Sequence, residues 1–236
     1  MKRIPFYFLY ASTIVPPVLL YLLALGSPGT AYTLSMTLGV CSFMILANQF
    51  ILASKPAFAV KALGMKGLLA LHSTMPIVAV LFAVAHRALK VGLVESKVPA
   101  SSPIAARSRP VIEALRGGLG FADDTSQTTP GSIALIVAIA LSVVAVVFIA
   151  NTVFMRIKPL ADLKSWVYKK TGLSYRSFRL IHGLVVFSAV ALIIHVAMAT
   201  SGPTSRLPLG FAWSVAWMAL ALVVFARYKI KAVKAA

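Results

Sequence analysis

The sequence predicts an all-α integral membrane protein, a six-transmembrane-helix bundle, and three observations carry that expectation. Of 236 residues, 60% are hydrophobic and only 12% charged, whereas soluble domains carry about 25% charged residues. The apolar residues gather into six runs of membrane-spanning length, for which about 20 residues are needed. The runs are continuous rather than alternating. In lipid this selects helices, which satisfy their own backbone hydrogen bonds, over barrel strands.

The first run, 4–25, follows Lys2 and Arg3 and starts as a signal peptide does. Pro16 and Pro17 interrupt it and no small-x-small cleavage site follows, so it reads as a retained helix. The second, 30–53, holds the only cysteine, Cys41, expected as an inert core thiol. It also holds Asn48 and Gln49, expected to hydrogen-bond between helices rather than to form a quinone site. The third, fourth, fifth and sixth runs are 67–88, 132–155, 177–199 and 209–228.

Two connections stand out. Residues 90–130 are rich in Pro, Ser, Gly and Thr; they read as a long external loop with a short helix at 110–116, suited to capping an outer site. Residues 158–175, KPLADLKSWVYKKTGLSY, are basic and amphipathic, which suits a helix lying along the inner interface. The whole of 1–236 reads as one domain. It has no GxGxxG motif, so a flavin or nicotinamide domain is expected to belong to a partner.

A formal net charge of +18 raises nucleic acid as a partner, but the distribution argues for topology. Lys2 and Arg3 precede the first span, and Lys55, Lys61 and Lys66 join the second to the third. Arg156, Lys158, Lys164, Lys169, Lys170, Arg176 and Arg179 lie between the fourth and the start of the fifth, and Arg227, Lys229, Lys231 and Lys234 follow the sixth. If six helices alternate, all of these share one side. The other side carries fewer basic residues, diluted by Glu95, Glu113, Asp123 and Asp124. The positive-inside rule then makes both termini cytoplasmic, in a bacterial inner or plasma membrane. No nucleic acid is expected; the basic face suits anionic lipid or an acidic redox partner.

All four histidines fall in two predicted helices, His72 and His86 in the third, His182 and His195 in the fifth. Their separations are 14 and 13 residues, or roughly 21 and 20 Å at ~1.5 Å per residue. One histidine of each helix therefore lies near each face of a ~30 Å hydrocarbon core. The two helices run the same way, which matches His72 with His182 at the inner level and His86 with His195 at the outer. Ionisable side chains at this depth mark function, and imidazole is a common axial ligand of haem iron. Two haems, each clamped between the helices, would give electrons a stepwise route across the membrane.

The geometry supports this unevenly. A 14-residue step returns a side chain to within about 40° of its starting direction, whereas 13 residues leave about 140° to be absorbed by bending. An isolated membrane histidine also serves simply to hydrogen-bond a neighbouring helix. A zinc site fits poorly, because the levels are far apart and no Cys, Asp or Glu cluster adds ligands.

The stretches LHSTMPIVAVLFAVAH and FRLIHGLVVFSAVALIIH resemble the paired H-x13-H and H-x12-H motifs of the ferric reductase-like transmembrane domain family. That family includes NADPH oxidases, ferric-chelate reductases and MsrQ-type haem subunits of methionine sulfoxide repair. The resemblance covers essentially the whole chain and implies a six-helix bundle with haem b between helices three and five. It implies that His72 and His182 hold the inner iron, and His86 and His195 the outer. The FAD/NADPH dehydrogenase of the eukaryotic members has no counterpart in this sequence, so a stand-alone membrane domain is the nearer comparison.

Haem propionates need cationic partners near the membrane edges. Arg179, three residues before His182, Arg87, next to His86, and Arg176, one turn before Arg179, are the candidates, with interfacial snorkelling as the plain alternative. Pro76 lacks the N–H that would bond the carbonyl of His72, so a kink is expected there. Phe82 and Phe187, between the levels, read as core filling.

The function expected is a transmembrane di-haem cytochrome b, the electron-transfer part of an oxidoreductase. It would take electrons from a cytosolic flavin reductase or flavoprotein, with flavin held by the partner or at the membrane face. The acceptor is extracytoplasmic: ferric iron, a flavin-bearing protein, oxygen or a methionine sulfoxide reductase. The rivals are a quinone-linked cytochrome b anchor of a peripheral oxidoreductase, and a haem-free transporter or assembly protein.

Overall fold

The computed structural model describes residues 3–25, 30–90, 133, 135–140, 157–172, 174–200 and 208–234, and these residues form helices and short connections. The helices are α1 (Arg3–Leu25), α2 (Thr30–Ala53), α3 (Ala57–Leu89), α4 (Lys158–Thr171), α5 (Tyr175–Gly183), α6 (Val185–Thr200) and α7 (Pro208–Lys234). Five stretches are long and apolar enough to cross a membrane: Arg3–Leu23, Ala31–Ala53, Ala57–Leu89, Arg176–Val196 and Leu209–Lys234. The chain is a multi-pass membrane protein. Of the expected fourth span, 133 and 135–140 are helical; the rest of it, and the expected external loop beyond Lys90, lie outside the described residues.

α2 is the hub, packing on α3, α7 and α1. Its buried face, Val40, Phe43, Met44, Ala47 and Phe50, meets Tyr21 of α1, Ala189 of α6, and Met218 and Ala221 of α7. Lipid tails are as apolar as these side chains, so association rests on close packing and interhelical hydrogen bonds rather than on a hydrophobic drive. Small buried residues permit that approach: Ser35, Ser42 and Ala47 in α2, Ala79 in α3, Ser214 and Ala221 in α7. A Cβ on Gly210 would stand 3.1 Å from the ring of Tyr21, so α7 crosses α1 at close approach, where any larger residue would press on the ring. On the outside, Ile4, Phe8, Leu23, Leu81 and Leu180 are exposed, as a lipid-facing surface requires.

Buried polar groups tie the helices together. Asn48 donates from Nδ2 to Thr13 Oγ1 at 2.7 Å and accepts at Oδ1 from Trp217 Nε1 at 2.8 Å, joining α1, α2 and α7 through one side chain. Gln49 donates to the Tyr10 hydroxyl at 3.2 Å, and Ser42 donates to the Ala79 carbonyl at 2.8 Å. The interhelical role expected of Asn48 and Gln49 is what the structure gives them.

The contacts also order the helix ends. Phe6, Leu52, Ala59, Leu63 and Leu68 cluster, gathering the start of α1, the end of α2 and the start of α3. Phe50 packs on Phe225 at 5.6 Å, which adds the end of α7 to that level. The opposite end joins the start of α2 to the end of α3 through Ser35 and His86.

The expected third helix begins earlier than its apolar run. α3 starts after Pro56 and breaks at Gly64, which adopts φ 70° and ψ 163°, a region essentially reserved for glycine. The interruption is therefore at Gly64, and the backbone stays helical through Pro76. The amphipathic segment is a helix as expected. α4 carries proline in its first turn, where a missing N–H costs nothing, and is closed by left-handed Gly172 at φ 63°. Ser174 Oγ then accepts the Ser177 N–H at 3.2 Å and caps α5. Tyr168 of α4 meets Phe178 of α5 edge-on at 5.2 Å, which folds α4 back onto the base of the next span.

Candidate functional site

His72 projects from α3 and His182 from the last turn of α5. Their ring centroids lie 6.4 Å apart with planes crossed at 78°. Two imidazoles placed trans on one metal, each at ~2.0–2.1 Å, hold their centroids roughly 6 Å apart. The observed spacing therefore suits one ion between them. Among the described residues, α3 packs extensively on α2 and less on α1, and makes no comparable backbone contact with α5 or α6. The rings meet where the backbones of their helices stay apart. Nδ1 of His72 is buried with no hydrogen-bond partner, a state costing about 1–3 kcal/mol when nothing satisfies it. The donor set is two imidazoles: among the described residues no three His, Cys, Asp or Glu side chains converge. An axially ligated haem iron fits such a pair.

The outer level is built differently. His86 donates Nδ1–H to the carbonyl of Ser35 at 2.7 Å, and the Ser35 hydroxyl donates to the His86 carbonyl at 3.0 Å while lying 3.1 Å from Nδ1. Its ring lies against Gly39, where a Cβ would stand 3.0 Å from Nδ1. His195 is half-buried in α6. A ring-to-ring contact joins His72 and His182, and His86 is engaged with α2.

The 13-residue spacing in the fifth span has a local resolution. α5 ends at Gly183 and α6 begins at Val185, and across the break Leu184 N–H bonds Ile181 O at 3.0 Å and Phe187 N–H bonds Leu184 O at 2.9 Å. These are three-residue turns, which advance by ~120° per residue instead of ~100°. Tighter winding turns His195 toward the direction of His182 and reduces the mismatch.

Arg87, Arg176 and Arg179 are all exposed, Arg179 one turn before His182 and Arg87 beside His86, as interfacial cations are. Phe82 is half-buried. Phe187 is 69% exposed and fills no core, because the turn at Leu184 rotates it outward. Cys41 is free and half-buried, partly as expected of a core thiol. Ser35 and Gly39 were not singled out by sequence; their spacing, two small residues four apart in an apolar helix, is the signal of a close helix crossing. No protein-family model, curated protein or solved structure matches this chain.

Proposed function

We propose that this chain is a transmembrane cytochrome b that carries electrons from a cytosolic flavoprotein to an extracytoplasmic acceptor. The observation that carries the reading is the approach of His72 to His182 from two different spans, with ring centroids at a separation that suits one metal ion. Haem, when bound, supplies reversible one-electron chemistry at iron. What the chain does is hold and insulate. His72 and His182 would hold the inner haem, and His86 and His195 the outer one. Arg179, Arg176 and Arg87 sit where propionates would meet the membrane edge, and the apolar helices exclude water.

Six crossings belong to this reading. α3 ends at the level of His86, and the fifth span starts below His182, which faces His72. The connection between them must return across the membrane once, and 132–155 is the apolar run of that length. With the basic residues gathered at the ends of α2 and α7 and in α4, both termini face the cytoplasm.

The test is haem content. Full-length protein, expressed with ample haem and purified, is expected to give about two haem b per chain by pyridine haemochrome, with a low-spin reduced-minus-oxidised spectrum. Haem-free protein would overturn the reading in favour of a transporter or assembly role. Haem that is reduced only by quinol, in an inhibitor-sensitive reaction, would instead favour the quinone-linked anchor.

A further inference from the structure

His86 is held by α2. Its ring nitrogen is fixed by a backbone acceptor: Nδ1 to Ser35 O is 2.7 Å. A carbonyl oxygen only accepts, so Nδ1 carries the proton and Nε2 carries the lone pair. That is the tautomer a metal requires, and a ligating histidine almost always donates its other N–H to such an acceptor. The Ser35 hydroxyl locks the same junction from the other side by donating to the His86 carbonyl at 3.0 Å. Gly39, one turn along α2, leaves the volume that the imidazole occupies, since its Cβ would lie 3.0 Å from Nδ1, 3.1 Å from Cε1 and 3.3 Å from Cγ.

We infer that Ser35 and Gly39 are positioning residues for His86, presenting its Nε2 as the ligand nitrogen of the outer haem. This rests on the cytochrome reading above. The pair does two separable things. The carbonyl and hydroxyl of Ser35 set tautomer and ring orientation and raise the basicity of the imidazole. Gly39 sets where the ring stands. The three atoms nearest to where its Cβ would stand all belong to the imidazole.

The experiment compares purified wild type, His86→Ala, Gly39→Ala and Ser35→Ala by haem quantification and by low-temperature electron paramagnetic resonance of the oxidised protein. His86→Ala identifies the signal of the outer haem. Gly39→Ala is expected to remove or broaden that same signal, taking haem content from about two per chain toward about one, while the inner signal stays. Ser35→Ala keeps the backbone carbonyl and is expected to retain both haems with only the outer signal displaced. If both variants leave the outer signal unchanged, or if Gly39→Ala loses the inner haem instead, the inference fails while the cytochrome reading stands. If wild type holds no haem, the reading itself fails. Should Gly39→Ala not accumulate, Ser35→Ala decides alone: a displaced outer signal supports the assignment and an unmoved one overturns it.

Discussion

The imidazoles of His72 and His182 meet edge-on at 6.4 Å, centroid to centroid, while the helices that carry them share no extensive backbone contact. On the cytochrome reading proposed above, the two side chains hold one group jointly, so their losses are not additive. His72→Ala and His182→Ala are each expected to remove about one haem of two, and the double variant no more than either single. His72→Ala combined with His86→Ala, which strikes both levels, is expected to leave about none. Haem quantification on the four variants checks this; a His72/His182 double variant that loses both haems would sink the pairing.

Asn48 holds three helices by two hydrogen bonds, at 2.7 Å to Thr13 and 2.8 Å from Trp217. Interhelical bonds in membranes average about 0.6 kcal/mol and reach about 1.7. Asn48→Ala breaks two of them and leaves the half-buried Trp217 without its acceptor. It is expected to destabilise the bundle by roughly 1–3 kcal/mol, measured by thermal or denaturant unfolding in detergent. Trp217→Phe in the Asn48→Ala background is expected to cost less than it does in wild type, because the bond it removes is already gone.

The membrane class was legible because long apolar runs leave few alternatives. The run predicted at 30–53 coincides with α2, and that at 4–25 with α1 to one residue. The spacing of the histidines predicts that His72 and His182 lie at one level, and their rings do meet. Three features were not legible, each for a local reason. Gly64 sits in KALGMKG, where glycine is as compatible with a helix as with a break; only its dihedrals decide. The break after His182 rests on a single turn at Leu184, and no proline announces it. Ser35 and Gly39 matter because the end of α3 returns to them from 51 residues away, a relation no periodicity within α2 contains.

Gly64 supports a prediction of its own. A Cβ there meets nothing within 4 Å, so the barrier to substitution is conformational and not steric. Gly64→Ala and Gly64→Ser are expected to cost about the same, roughly 1–3 kcal/mol. Because the break aims the segment that carries His72, eight residues on, both variants are expected to weaken the inner haem before the outer. Unfolding curves and haem content together check this. A cost that grew with side-chain size would mean that packing governs the position.

Topology is the remaining consequence. The start of α1, the end of α2 and the start of α3 meet at one level, to which Phe225 of α7 also packs, and on the reading proposed above both chain ends share a side. Charge chooses the side. Lys55, Lys61 and Lys66 follow α2, and Arg227, Lys229, Lys231 and Lys234 close α7. α4 brings Lys158, Lys164, Lys169 and Lys170 to the base of the span holding His182. Short basic segments of this kind stay cytoplasmic. A fluorescent protein fused after residue 236 is therefore expected to fluoresce in bacterial cells, and alkaline phosphatase inserted within 90–130 to be active. The reverse pattern would put the inner histidine pair on the outside and remove the cytosolic flavoprotein as the donor to it. One reporter active on each side, with the His72 and His182 variants still losing haem, would tie the direction of electron entry to the end of the bundle where α4 lies.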